Sequence, residues 1–525
     1  MKSTAVLLIL LAAANALGAD IDTMGGRLLH QVDPSLQGTG VPVAQAEADD
    51  AGGVNEFEVD PASTLVNQPV SLFTWISASG TATTFPNSVG TNSGHASFVG
   101  GNFYGVSNGV AQQVSHVYNY SADYFYNNFI AAGLPISGRI ANQSFIFSNP
   151  DGSHLPTAQE QMIDSQYDDY SAQYGVLFIS GAGNGGTVYP SATSYNGIGV
   201  GVIDGGSSVG PTPDGRCKPD VVSPGIGFTS FSTPFVSGSA AVLVQAGLRG
   251  DGGANTNAAS DNRTVKALIL NGAVKPAGWT NGAATPLDAR YGAGILNVFN
   301  SWHQLKGGQH PFIESTSVPS GGPHPPGANP NNEPALTGWD FNSLTDPGSS
   351  HDRINHYYFN LTDSNSFTLT ATLVWLRPHS SLPGVMAGIN DLNLFLYNTA
   401  NGNLVLSSTS AVDNVEHLFL PQLPPGRYDL QVQKNSSDEV STSETYALAF
   451  EFFNLNLGIT ESNANTVITW PLAPAGFQLQ STTNLNPPMA WSPVTNAVMV
   501  DTNASQNVVV VPATGFNQFF RLQRL

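Results

Sequence analysis

Thr229-Ser230-Phe231-Ser232-Thr233-Pro234-Phe235-Val236-Ser237-Gly238 decides how this chain is read. Small residues continue to Leu248, so the spacing predicts a packed helix over Pro234–Leu248. Pro234 suits the first turn of that helix, where its missing N–H costs nothing. Ser230 then sits at the helix N-terminus, where free amides and the helix dipole favour developing negative charge. By itself a serine before a Pro-led helix is an N-cap. Its company changes the reading. Gly94-His95-Ala96-Ser97-Phe98-Val99-Gly100-Gly101 sets an imidazole among small residues, and Gly40-Val41-Pro42-Val43-Ala44-Gln45-Ala46-Glu47 ends an apolar alternation on an acid. Serine needs a base to become a nucleophile, and imidazole needs a carboxylate to orient it. Glu47, His95 and Ser230 are therefore the candidate set.

Around these segments short apolar strands alternate with helical stretches. Val176–Ile179 reads as a buried strand running into Gly181-Ala182-Gly183-Asn184-Gly185-Gly186, and Gln159–Tyr174 as the helix before it. Ile198, Val200 and Val202 alternate with glycines as another strand. Alternation of this kind implies an α/β fold with a parallel sheet covered on both faces.

The acid–His–Ser order is the subtilisin order, not that of chymotrypsin or the α/β-hydrolases. The stretch from about Leu28 to Trp302 resembles the catalytic domain of the subtilisin-like serine proteases. Thr229–Pro234 resembles their Gly-Thr-Ser-x-Ala-Thr-Pro, Ser93–Gly101 their Gly-His-Gly-Thr-His-Val-Ala-Gly, and Gly181–Asn184 their Ala-Ala-Gly-Asn. Tyr189-Pro190-Ser191 and Lys218–Gly225 match further stretches before the serine. The resemblance implies a secreted endopeptidase acting through an acyl-enzyme on Ser230, with protein or peptide as substrate and no cofactor in the chemistry. Asn184 would donate into the oxyanion hole, a contribution of about 3–4 kcal/mol established for subtilisin itself. Asn142-Gln143-Ser144-Phe145 resembles the segment whose backbone pairs with substrate as an added strand, which makes Ser144 and Phe145 substrate-binding candidates.

Two positions depart from that family. Phe228 stands where it has Gly, and a bulky side chain there is expected to alter the strand or the approach of substrate. Glu47 stands where it has Asp, so its carboxylate reaches farther by one carbon–carbon bond, about 1.5 Å. Asp49 points to the same side of a strand by period two and is the rival acid, whereas Asp50 points the other way. A degenerate site, in a protein that binds surfaces or polymers, explains both departures. An esterase on the same residues is a third reading.

The rest of the chain frames this site. Its 525 residues exceed one core, and 17 Lys+Arg against 37 Asp+Glu give a formal charge of -20. That charge argues against nucleic acid or anionic membrane as a partner. Residues 1–19, with Lys2 before the apolar run Ala5–Ala14, read as a signal peptide, so export from a bacterial cell is expected. No later run reaches the roughly 18 apolar residues of a membrane span. About twenty residues separate this segment from Gly40, short of the ~40 of a self-standing domain, so no folded pro-domain is expected. Cys217 has no partner for a disulfide and reads as a packed small residue.

Residues 20–308 are assigned to the catalytic unit, and 309–336, with Pro319-Ser320-Gly321-Gly322-Pro323-His324-Pro325-Pro326-Gly327, to a linker. Beyond it Phe367-Leu369-Ala371-Leu373-Trp375, Leu392-Leu394-Leu396 and Tyr428-Leu430-Val432 alternate at period two. Two β-sandwich-type units, 337–455 and 456–525, are expected. The first resembles the jelly-roll domain that ends some alkaline subtilisin-like proteases, through Asn390-Asp391-Leu392-Asn393 and Asp413-Asn414-Val415-Glu416. Calcium on Asp391, Asn393, Asp413 and Glu416 is one expectation there; Asn/Asp turns without metal are the other. The last seventy residues or so carry no chemistry, and oligomeric state is left open.

Overall fold

The structure, a computed structural model, describes residues 20–49, 55–203, 205–312, 335–345, 354–380, 388–435, 440–462, 464–513 and 517–524. The signal-peptide expectation and most of the linker expectation lie outside these residues.

Eight strands form the first sheet: β1 (Pro42–Glu47), β2 (Phe73–Ser77), β3 (Gly80–Ala82), β4 (His116–Ser121), β5 (Ile140–Gln143), β6 (Leu177–Gly181), β7 (Ile198–Val202) and β8 (Val221–Ser223). Their order is β3-β2-β4-β1-β5-β6-β7-β8. All neighbours are parallel except β3, which folds back on β2. Strands β5 to β8 are buried throughout, as a sheet covered on both faces requires. The alternation of β1 sorts its side chains: Val43 joins the core on one face, Ala44 and Ala46 the smaller core on the other. By the same period Gln45 and Glu47 share the Val43 face.

Parallel strands place their carboxyl ends on one edge, where ligand sites of open α/β sheets collect. Adjacent strands β1, β5 and β6 end there at Glu47, Gln143 and Gly181, so the segments that follow them meet. The helix Thr229–Arg249 packs on the Val43 face and is buried along most of its length. By length and composition it could cross a membrane, but it is almost wholly buried inside the protein. Serines and threonines break its apolar run, which is why the sequence shows no span. A Cβ on Gly238 would lie 2.7 Å from Val110 Cβ, so only glycine lets the helix approach so closely.

Two four-stranded antiparallel sheets follow. One comprises Ile354–Leu361, Gly426–Lys434, Leu392–Asn398 and Leu404–Ser408, the other Val415–Leu423, Phe367–Trp375, Ser443–Phe453 and Thr337–Thr345. Leu, Phe, Tyr and Trp side chains from both fill one core, giving a sandwich. A four- and a three-stranded sheet complete the chain around Ile468, Trp470, Leu479 and Val509.

These units share cores with the α/β unit. Trp339, Val374, Val415, Ala447 and Ala449 of the sandwich pack into the main hydrophobic cluster, as does Leu472 farther on. Asn271 Oδ1 accepts from the Thr370 and Thr372 hydroxyls (2.9 and 3.0 Å), and Trp339 Nε1 donates to Leu305 O at 3.1 Å. Asp413 accepts from the Cys217 amide at 2.8 Å, while burial, with the Asp413 charge second, pushes the Cys217 thiol up to about 12. That thiol is a packed residue, not a nucleophile.

Trp339 is the largest side chain in this seam. Trp339→Ala is expected to lower the unfolding free energy by about 3–5 kcal/mol, read from the denaturation midpoint. A loss below about 1 kcal/mol would mean that the sandwich hangs free of the catalytic unit.

Candidate active site

His95 lies in the first turn of the helix Gly94–Phe103, whose N-cap Ser93 accepts from the Ala96 amide at 3.1 Å. Its Nδ1 stands 2.9 Å from Glu47 Oε2. A carboxylate only accepts, so Nδ1 carries the proton, and when the ring is neutral its lone pair is on Nε2. The acid is 1% exposed and the imidazole 28%. Asp49 lies elsewhere: its carboxylate accepts from the Asn55 and Glu56 amides at 3.2 and 3.0 Å, closing a loop.

Glu47 is held from its other side too. Gln45 Nε2 donates to Glu47 Oε1 at 2.8 Å and to Ala96 O at 2.9 Å, and Tyr104 Oη donates to Gln45 Oε1. Burial, with the Glu47 charge second, pushes the Tyr104 phenol well above its ordinary range, so it stays a donor. Sequence reading passed over both residues. The available signal was a glutamine in an otherwise apolar alternation, Val41, Val43, Gln45.

A Cβ on Gly100 would meet the Tyr104 hydroxyl at 2.8 Å, so this glycine makes room for the phenol and not for the serine helix. The histidine and serine helices are tied by Asn102 Nδ2, which donates to Phe231 O at 2.9 Å, and by Phe98 packed at a tilt of 45° against Phe231 with ring centroids 4.2 Å apart. Phe231 also lies 5.6 Å from the His95 ring, which brings the serine segment beside the imidazole.

The serine helix starts earlier than the sequence predicts, at Thr229 and not Pro234. Ser230 is thus in its first turn, where an amide has no intrahelical acceptor. Pro234 lies inside the helix and cannot donate to the Ser230 carbonyl four residues back. Ser144 Oγ fills that place, donating to Ser230 O at 2.9 Å. Ser230 Oγ in turn donates to Ser144 O at 3.3 Å. The Ser144 side chain is therefore structural, while Ser144 to Ile146 run on from β5 along the cleft.

Asn184 follows β6 and caps the same helix: its Oδ1 accepts from Thr229 N and Oγ1 at 2.8 and 3.0 Å. With the amide oxygen so committed, the NH2 end is left to the cleft that Asn184 and Ser230 both line. The cleft holds about 240 Å³ and is bordered by Phe145, Ile146, the glycines at 183 and 185 and Tyr189; among the described residues no charged side chain lines it. Tyr189 stacks on His154 at 4.0 Å. Phe228 is 53% exposed with extended backbone, φ -131°, so a side chain fits there without strain; the left-handed residues of the turn are Ile226 and Gly227.

The four calcium candidates are engaged otherwise. Asp413 accepts from Ser410 Oγ and the Cys217 amide, Glu416 from Ser408 and the Ser410 amide, and Asp391 from Asn435. Asn393 sits in a strand opposite Gln433. Among the described residues no three His, Cys, Asp or Glu side chains are grouped to hold a metal.

Residues 76–294 match the profile of the subtilase family, Peptidase S8, which supports a serine peptidase of subtilisin type for this part of the chain. His95, Asn184 and Ser230 lie within the match and Glu47 before it. No curated protein matches the chain. Among solved structures, dimeric latent PorU from Porphyromonas gingivalis is 10% identical, covering 35% of this chain and 20% of that one, at a TM-score of 0.15. The catalytic domain with CBM51 domains of Clostridium perfringens ZmpB is 9% identical over 29% and 20%, at 0.15. A beta-D-glucuronidase from Dictyoglomus thermophilum is 8% identical over 35% and 40%, at 0.11. This chain thus spans well under two thirds of each, and likeness at these scores carries nothing about its fold or activity.

The Ser144–Pro234 relation is open to a double-mutant cycle. Ser144→Ala strands the Ser230 carbonyl and should cost about 1–3 kcal/mol of stability. Pro234→Ala restores an N–H for that carbonyl, so the cost of Ser144→Ala in that background should shrink by half or more. Equal costs in both backgrounds would contradict the relation.

Proposed function

We propose that the chain is an exported serine endopeptidase that hydrolyses peptide bonds through an acyl-enzyme on Ser230. The observation that carries this reading is the buried Glu47 carboxylate 2.9 Å from His95 Nδ1, beside a serine in the first turn of a helix. His95 Nε2 takes the Ser230 hydroxyl proton as Oγ attacks the scissile carbonyl, then gives it to the leaving amine. Glu47 holds the ring in the tautomer that makes Nε2 the base and stabilises the imidazolium that forms. The carbonyl oxygen, now negative, is met by the Ser230 amide and the Asn184 NH2. For attack, the Ser230 hydroxyl must leave the Ser144 carbonyl and turn to the imidazole, and a 3.3 Å hydrogen bond is a weak restraint. No cofactor enters these steps.

Residues 144–146 support substrate alignment as an added strand along the cleft, through backbone groups and not the Ser144 hydroxyl. The described lining of the cleft, with Phe145, Ile146 and Tyr189 and no charged side chain among the described residues, favours an apolar side chain next to the scissile bond. The reading divides the chain into a catalytic unit, 20–308, and two β-units, 337–455 and 456–525, that support it.

One observation favours the competing reading of a silent binding protein: the Ser230 hydroxyl is already committed to a backbone carbonyl. A fluorophosphonate probe decides. Wild type should label and Ser230→Ala should not; failure of wild type to label supports the binding protein. Glu47→Gln should lower kcat by about two to four orders of magnitude with KM little changed, while Asp49→Asn should have no such effect. Peptides with an apolar residue before the scissile bond should be cleaved at least about tenfold faster than charged ones, a discrimination of 1.4 kcal/mol or more. Ester turnover without peptide cleavage would point to the esterase.

A further inference from the structure

The chain from Tyr104 through Gln45 to Glu47 is more than packing. We propose that Gln45 is a positioning residue of the active site and that Tyr104 acts through it, so that one buried amide fixes both the acid and the backbone of the base. This rests on the proposed function for its catalytic consequence, though not for its geometry.

The donor inventory leaves Gln45 a single orientation. Both protons of its Nε2 are used, one on Glu47 Oε1 and one on Ala96 O, the carbonyl next to His95. Its Oε1 faces the Tyr104 hydroxyl. Turning the amide over would set an oxygen against a carboxylate and a carbonyl, and would take the acceptor away from the Tyr104 hydroxyl proton. Gln45 and Tyr104 are both fully buried, so water offers neither an alternative partner. Gly100 supplies the room for the phenol.

Glutamate explains why such a device is useful. It has one more rotatable bond than aspartate, and a carboxylate free to turn about that bond would meet His95 only part of the time. Pinning Oε1 from the strand leaves Oε2 to the imidazole. The same amide holds the start of the histidine helix to β1, so acid and base share a reference point. Gln45 precedes Glu47 by two residues and is therefore on the same face of the strand.

The test uses the full-length protein with three variants: Gln45→Leu, which keeps the bulk and removes the donors, Tyr104→Phe, and the double variant. Two readouts are taken: kcat and KM on a peptide substrate, and the proton NMR signal of His95 Nδ1–H, assigned by its loss in His95→Ala. Gln45→Leu should lower kcat by about ten- to a hundredfold with KM within twofold, as expected when a reacting group is misplaced. Tyr104→Phe should cost about three- to tenfold, the worth of one hydrogen bond. The double variant should be no slower than Gln45→Leu alone, and the Nδ1–H signal should move upfield or exchange away in each variant. Retention of kcat within twofold and of the signal in Gln45→Leu would overturn the proposal, as would losses that multiply in the double variant. If Gln45→Leu does not fold, Tyr104→Phe decides by the same criteria. If wild type cleaves nothing and takes no fluorophosphonate, the proposed function has failed, and the NMR signal still judges the positioning of Glu47.

Discussion

A carboxylate that is 1% exposed has to be surrounded by donors, and the catalytic unit is arranged around meeting that demand at Glu47. Burying such a group without partners is costly; one oxygen is met by His95 and the other by Gln45. Strand β1 carries the acid to the carboxyl edge of the sheet. The histidine helix must then start where its second residue can reach that edge, and the phenol at its far end must fold back under it. The demand is local, but its solution ties β1, the histidine helix and, through Asn102, the serine segment into one body.

A second constraint is the proline in the serine helix. Pro234 denies a hydrogen bond to the carbonyl of the very residue proposed as nucleophile. Ser144 restores it from the end of β5, and Asn184, from the end of β6, caps the residue before. Two adjacent strand ends, those of β5 and β6, therefore supply the polar groups that this helix start lacks, while β1 beside them carries Glu47 to His95. The topology makes this meeting possible, since β1, β5 and β6 are neighbours in the sheet though far apart in sequence.

Much of this was legible. Period-two alternation at Val41 and Val43 put Glu47 on the face where the structure brings it to His95, and the glycine-bounded motifs singled out Asn184 and Ser230, which line one cleft. The segments of alternating Leu and aromatic residues marked the sandwich strands. What was hidden depended on contacts between distant segments. Pro234 was read by its usual place in a first turn, because nothing in the sequence says that Ser144 will serve its orphaned carbonyl. Gln45 looked like one polar residue in a strand, since its partners Ala96 and Tyr104 lie more than fifty residues on. The acids of the sandwich resembled ligand sets because acid-rich turns look alike in sequence whatever their partners, and those of Asp413 and Glu416, amides and hydroxyls, come from other segments or other turns of the chain. The seam was hidden for the same reason: Thr370 and Thr372 fall between the apolar positions of their strand, and nothing near them in sequence announces Asn271, which accepts from both.

The central claim is that this site is built for glutamate, and restoring the shorter acid of the resembled family tests it most directly. Glu47→Asp withdraws the carboxylate by about one carbon–carbon bond, 1.5 Å, enough to break its contact with His95. Steady-state kinetics on one peptide at one pH suffices. The expected result is a fall in kcat of about two orders of magnitude or more, with KM near the wild-type value. A Glu47→Asp protein as active as wild type, or more active, would contradict the claim and make the glutamate incidental.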